Sequence, residues 1–313
     1  MSKTFLVTGA TGYQGGSLAR VLRSQNHTVN ALIRDPSSPK ALALKELGVK
    51  IFHGSFDDVA VIKNAISGCA GLFLNPFPTP ADPQLQVQHA RNFINAAIEE
   101  QCPLVLSTAF MTAQKESWVG SSPQDFLYLY YSINHIIEEE VRSAASIGKL
   151  KAYTILRPAY LMHNYLIPFS FFHYPELPKQ GVMKHMYIDG RRISHLDSAD
   201  VGKLAAVVLQ TPEKYDKLEI DLGGENLDAD EAAAIIRKVS GREDIVTEKL
   251  VIPNFDTVKK TGLTWHYYAN TQDTELANKK EVEELFGVKL TSFEEYLVRE
   301  RELLNKSLPA QKE

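Results

Sequence analysis

Residues 9–16 read Gly-Ala-Thr-Gly-Tyr-Gln-Gly-Gly, lying between the apolar run Phe5-Leu6-Val7 and the helix-forming stretch Ser17–Leu22. Glycines let a backbone turn sharply and come close to a pyrophosphate. The N–H groups and dipole of the helix that follows favour its negative charge. The spacing is G-x-x-G-x-x-G rather than G-x-G-x-x-G, so taken alone it also fits an ordinary strand-to-helix turn. A second apolar run, His27–Ile33, ends in Arg34-Asp35-Pro36, about where a dinucleotide-binding unit reads its ribose. A planar guanidinium at that point suits a 2′-phosphate, which favours NADP(H) over NAD. The alternative is that Arg34 is a solvated strand end and Asp35 does the reading.

These residues need a scaffold, and the chain alternates strand and helix patterns to supply one. Lys50–Gly54, Gly71–Asn75, Leu104–Thr108 and Ala152–Pro158 read as further strands. Val59–Ser67, Leu85–Glu100 and Phe126–Ala145 read as helices. Such alternation builds an α/β fold, a doubly wound parallel sheet of the Rossmann type whose ligands sit beyond the C-terminal strand ends. That rule selects the glycine loop, Arg34, Phe56-Asp57, Asn75-Pro76-Phe77 and Ser107-Thr108-Ala109. The same residue types also populate ordinary turns, so the argument rests on their coincidence at one sheet edge.

After Pro158 the regularity breaks into an aromatic stretch, 160–187, that reads as a packed lobe, a substrate-pocket wall, or both. Asp197-Ser198 followed by Asp200 has the form of a helix cap, and the helix runs on to Leu209. Leu218–Leu222, Ala229–Ser240, Val246–Val251, Phe255–Thr261 and Ser292–Leu304 supply the elements of a smaller α+β C-terminal lobe. The expected division is a nucleotide-binding domain over 1–158, with 190–210 returning to it, and a substrate lobe from 159–189 and 211–313.

A chain of 313 residues with net charge −4 has no basic field for nucleic acid. Cys69 and Cys102 lack redox or zinc spacing and read as buried thiols in a reducing compartment. No run is long and apolar enough to span a membrane, and no signal segment opens the chain, so a cytoplasmic location is expected, with nuclear entry open. His163, His173, His185 and His195 lack ligand spacing, so no metal is expected.

Gly9–Ser17, Ile33-Arg34-Asp35-Pro36, Gly54-Ser55-Phe56-Asp57-Asp58, Leu156-Arg157-Pro158 and Asp197-Ser198-Ala199-Asp200-Val201-Gly202 together resemble the NmrA-like group of atypical short-chain dehydrogenase/reductases. The resemblance covers nearly the whole chain and implies a Rossmann domain with NADP held between it and a small lobe. It implies that Gly9, Thr11, Gly12, Tyr13, Gln14 and Gly15 hold the pyrophosphate, Arg34 the 2′-phosphate, and Phe56 or Asp57 the adenine side. Asn75, Pro76 and Phe77 would line the ribose and nicotinamide half, with Tyr160 and Asn164 bordering the nicotinamide.

Active short-chain dehydrogenases place a lysine four residues after a tyrosine, on one helix face, where the ammonium lowers the phenol pKa. Here Tyr130 is followed by Asn134 and Tyr131 by His135, and no lysine lies between Lys115 and Lys149. Asn134 could hold ribose hydroxyls, Tyr131, His135 or water could donate a proton, and Thr108 or Ser107 could polarise a carbonyl. Two functions stay open. One is an NADPH-dependent reductase of an apolar or aromatic small molecule. The other is a non-catalytic NADP(H) sensor acting through a protein partner. A monomer or homodimer is expected in either case.

Overall fold

The computed structural model describes residues 1–76, 78, 82–114, 126–251, 258, 263–276 and 278–310. Phe77 and most of the expected 255–261 helix lie outside the described residues. In chain order, β1 (Thr4–Val7), α1 (Tyr13–Ser24), β2 (Thr28–Ile33), α2 (Pro39–Glu46), β3 (Lys50–His53), α3 (Val59–Ile66), β4 (Gly71–Leu74), α4 (Pro83–Glu99), β5 (Leu104–Ser107), α5 (Phe126–Ser146) and β6 (Tyr153–Pro158) alternate. Six shorter strands follow: β7 (Tyr160–Leu161), β8 (Val182–His185), β9 (Ile193–Leu196), β10 (Leu218–Leu222), β11 (Glu225–Leu227) and β12 (Val246–Lys249). The chain divides into two compact units: the described residues up to Pro158 belong with Ser198–Asp221, and Ala159–Asp197 with the described residues from Leu222 onward.

The first unit is built on a seven-stranded sheet of order β10-β6-β5-β4-β1-β2-β3. The pairs among β1 to β6 are all parallel. Its central strands are mostly apolar and almost wholly buried, as parallel strands covered on both faces must be. On one face, Ile62 and Ile66 of α3, Phe93 of α4 and Ile137 of α5 form one core with Leu6, Leu72, Leu106 and Ile155 of the sheet. α1 crosses the Ser198–Gln210 helix so closely that a Cβ on Gly202 would lie 2.5 Å from Leu18 N and 2.7 Å from Ser17 Cβ. Ser17 Oγ donates to Ala199 O across the same crossing at 2.8 Å. The glycine of the Asp-Ser-Ala-Asp-Val-Gly motif is therefore required by packing.

The return of the chain to the first unit falls later than the expected 190–210. β9 pairs with β7 and β11 in the second unit, whereas β10 is an edge strand of the large sheet. Apolar patterning identifies strands but not their partners, which is why this boundary was misplaced. Both cysteines are buried in the first unit, Cys102 completely. Burial pushes the Cys69 thiol up to about 11 and that of Cys102 to about 12.

The second unit has a three-stranded sheet, β11-β9-β7, and a parallel pair, β12-β8. Capping boxes open two of its helices, Asp228 with Glu231 before Ala229–Ser240 and Ser292 with Glu295 before Phe293–Arg299. The aromatic stretch supplies much of this unit's core. Tyr160, Tyr165, Tyr174 and Tyr187 are buried with Phe293 and Tyr296, while Phe171 and Phe172 are exposed. Among the described residues no helix is long and apolar enough to cross a membrane.

Candidate functional site

The strand order reverses between β1 and β4, so the loops after these strands diverge and open a crevice at the switch point. The loop after β1 carries the glycines, and the loop after β4 begins with Asn75. Gly9 has φ +60°, and Gly12 N closes the turn on Gly9 O at 2.8 Å. A Cβ on Gly15 would lie 2.5 Å from both Gly9 O and Thr8 O, so no larger residue fits without displacing backbone. Gly12 is the cap residue of α1; no side chain reaches the first-turn N–H groups from it, and no acid stands in that turn. The positive end of this helix dipole is thus not offset by the chain's own carboxylates, as an anion site requires. Thr11 and Gln14 are half-buried beside it, and Tyr13 is exposed.

Gln14 also has a structural role, because its Oε1 accepts from Ser107 Oγ at 2.8 Å and from Asn75 Nδ2 at 3.3 Å. Asn75 N in turn donates to Thr8 Oγ1 at 2.8 Å. One side chain therefore ties the start of α1 to the ends of β4 and β5. This explains why a glutamine, rather than another small residue, precedes the glycine pair.

Arg34 stands exposed just past the end of β2. The neighbouring Asp35 is committed locally, since its carboxylate accepts from Ser37 N at 2.9 Å and from the Ser37 hydroxyl. Those bonds hold the Asp35 carboxyl below its usual range. The Asp35 carboxylate shapes the turn, and Arg34 is an exposed residue beside it. Lys40, near the start of α2, puts a second cation 5.6 Å from the Tyr13 ring centroid on the same rim.

Phe56 and Asp57 follow β3. The Phe56 ring packs edge-on against Phe93 at 4.8 Å, and the Asp57 carboxylate is exposed with His89 Nε2 2.9 Å away. Pro76 is buried beside the half-buried Asn75. The structure thus brings the glycine loop, Arg34, Phe56, Asp57, Asn75 and Pro76 to the C-terminal edge of one sheet. Tyr160 and Asn164 belong to the second unit, where both are buried and Tyr160 packs against Trp265 at 4.7 Å.

The residues expected to move a proton are arranged differently from the expectation. Thr108 Oγ1 donates to Glu138 Oε1 at 2.7 Å. Glu138 is completely buried and also accepts from Arg157 Nε at 2.9 Å and from the Nη2 atoms of Arg157 and Arg142 at 2.7 Å. The Thr108 hydroxyl thus directs its hydrogen to a carboxylate that two guanidinium groups also hold. Tyr131 is 3% exposed and its hydroxyl donates to Met111 Sδ at 3.1 Å. Asn134 Nδ2 donates to Tyr130 O, one turn back on its own helix, at 2.8 Å. Burial pushes the Tyr130 phenol up to about 12, opposite to what a lysine neighbour achieves. His135 is half-buried on the same helix.

Sequence reasoning missed Glu138 and the cluster it centres. Arg157, from the Leu-Arg-Pro motif, also bonds Glu219 of β10, as does Arg142, at 2.5 and 2.7 Å. The acidic second half of α5 was the available signal, but its partners lie up to 77 residues away. Within the second unit, burial lowers His163 and His195 to about 4 and His173 to about 3. His195 Nδ1–H donates to Ile193 O at 2.7 Å, leaving Nε2 to accept from the Tyr165 hydroxyl at 2.8 Å. An open cleft at the opposite, N-terminal edge of the large sheet is lined by Lys3, His27 and Gln210, with Gln210 bonded to both of the others.

The NmrA-like family profile matches residues 1–297. The chain belongs to the NmrA-like family. Cinnamoyl-CoA reductase 1 of Arabidopsis thaliana is 35% identical over 120 residues, which are 36% of this chain and 35% of that protein. The chain thus matches about a third of that relative's length. Among solved structures, NmrA, a negative transcriptional regulator in complex with NADP, superimposes with TM-score 0.73 at 18% identity, covering 98% of both chains. The triphenylmethane reductase of Citrobacter sp. complexed with NADP(H) gives TM-score 0.70 at 18% identity, over 95% of this chain and 99% of that one. These structural likenesses establish the α/β fold that this NmrA-like chain shares with a regulator and a reductase.

Proposed function

We propose that this NmrA-like protein binds NADP(H) and reduces an apolar or aromatic small molecule. The observation that carries the reading is the combination of a glycine cradle at the switch point, closed to any side chain, and, past the end of the adjacent β2, an arginine whose neighbouring carboxylate bonds its own turn. In this reading Gly9, Thr11, Gly12, Tyr13 and Gly15 hold the pyrophosphate through backbone and helix dipole. Arg34 holds the 2′-phosphate, Phe56 and Asp57 the adenine, and Asn75 and Pro76 the ribose side. The cofactor supplies a hydride when bound. The chain's own residues position it, with Gln14 keeping the glycine loop in register with Asn75 and Ser107. Thr108 presents an acceptor rather than a donor at the end of β5. That arrangement favours acceptors already polarised toward hydride, such as extended conjugated or cationic aromatic systems, over simple ketones. His135, half-buried on α5, or water delivers the proton in this reading.

The commitment of Thr108, Tyr131 and Asn134 to partners within the protein favours a second reading, a sensor that binds NADP(H) without turnover and acts through a protein partner. Titration with NADPH and NADH, then NADPH consumption against quinones, enones, imines and cationic dyes, separates the two. Tight NADPH binding with turnover supports the reductase, and binding without turnover across the panel supports the sensor. Absence of binding overturns both. In an active protein, His135→Phe should abolish turnover at unchanged cofactor affinity; unchanged turnover removes His135 from the mechanism.

A further inference from the structure

The loop that carries Phe56 and Asp57 is shaped by α4 as much as by its own strand. His89, Asn92 and Phe93 lie at i, i+3 and i+4 on one face of that helix. Asn92 Nδ2 donates to Phe56 O at 2.8 Å, and the Phe56 ring stands edge-on to both Phe93 and His89, at 4.8 and 5.8 Å. His89 Nε2 lies 2.9 Å from Asp57 Oδ1, and because a carboxylate only accepts, that nitrogen carries the proton. Ser55 Oγ donates to the other oxygen, Asp57 Oδ2, at 3.2 Å. The His89 side chain is 14% exposed and the Asp57 side chain 63%. A fixed inner partner therefore holds a carboxylate whose outer side stays open at the C-terminal edge of β3.

We propose that His89 is a positioning residue for purine recognition: it fixes the Asp57 carboxylate so that a remaining lone pair accepts from an exocyclic amine, as adenine carries and hypoxanthine lacks. This rests on the NADP(H) reading above. Without His89 the carboxylate gains rotational freedom, and a hydrogen bond to the amine must first restrict it. Ser55 alone, from the same short loop, provides no link to a rigid helix.

The test compares NADPH with nicotinamide hypoxanthine dinucleotide phosphate, in which a carbonyl oxygen replaces the adenine amine, by fluorescence titration of the full chain. Wild type should prefer NADPH by about tenfold or more, the scale of a hydrogen bond to a charged acceptor. His89→Phe keeps an aromatic ring against Phe56 but loses the donor, and should bring the ratio below about threefold. His89→Gln restores a donor and should keep the ratio within about twofold of wild type. A wild type that does not discriminate, or a His89→Phe protein that keeps the full ratio while both affinities fall together, overturns the proposal. If neither variant folds, Asn92→Ala, which frees the Phe56 carbonyl, should lower the same ratio, and an unchanged ratio has the same force. Failure of wild type to bind NADPH at all overturns the cofactor reading instead.

Discussion

Arg34→Ala tests the cofactor reading most directly. Arg34 stands exposed at the end of β2, and Asp35 and Ser37 bond each other across the adjacent turn. Thermal unfolding of the variant checks that the fold is intact. A charge-assisted hydrogen bond contributes about 1.5–3 kcal/mol, and solvent exposure puts this one in the lower half of that range. A loss of about 1.5–2 kcal/mol is roughly a 10- to 30-fold rise in the Kd for NADPH. NADH has no 2′-phosphate and should shift by less than about twofold on the same scale. The assay is fluorescence titration with both cofactors at low and high ionic strength. Salt should erode the wild-type preference for NADPH and have little effect on the variant, since an exposed phosphate contact is screened. Arg34→Lys, which keeps the charge but not the fork, should fall between. Equal weakening of NADPH and NADH would refute the reasoning and make Arg34 a structural residue.

Gly15→Ala places a methyl 2.5 Å from two carbonyl oxygens and should abolish binding of both cofactors alike, with a fall in thermal stability measured in the same samples. Glu138→Gln removes the buried carboxylate that both arginines share while Glu219 still pairs with each, and should cost about 1–3 kcal/mol in urea unfolding. Thr108→Val should cost far less, and equal losses would show that Glu138 is not the centre of the cluster. Burial raises the Asp221 carboxyl to about 6, against the opposing pull of Arg157. An acid raised on folding favours the native state below its unfolded pKa and loses that advantage as pH rises through about 6. Asp221→Asn, which stays neutral, should therefore be more stable than wild type at pH 8 by on the order of 1–2 kcal/mol. The difference should close below about pH 4, and a gap independent of pH would refute this assignment.

Much of the nucleotide edge was legible because its signals are local. Gly9, Gly12 and Gly15 are set by a turn eight residues long, and Arg34 by the end of the next strand. Phe56, Asp57 and Asn75 follow strands whose apolar runs are plain. The proton chemistry was not legible in the same way. Thr108 reads as a donor until Glu138, 30 residues on, is seen to take its hydrogen. Tyr131 and His135 share a helical spacing, but spacing alone does not reveal that Met111 receives the Tyr131 proton. The boundary between the units failed for a related reason, since β9 and β10 look alike as sequence and differ only in which sheet accepts them.

The sequence by itself determined the alternation of strands and helices, the glycine turn and the arginine that follows the second strand, because backbone conformation and burial periodicity depend on near neighbours. Only the tertiary structure decided which polar atoms remain open to a ligand. Gln14 is tied to Ser107, Thr108 to Glu138, Arg157 to Glu219 and Asp57 to His89. These bonds join residues 30 to 93 positions apart, and polar groups find partners wherever the fold brings them together.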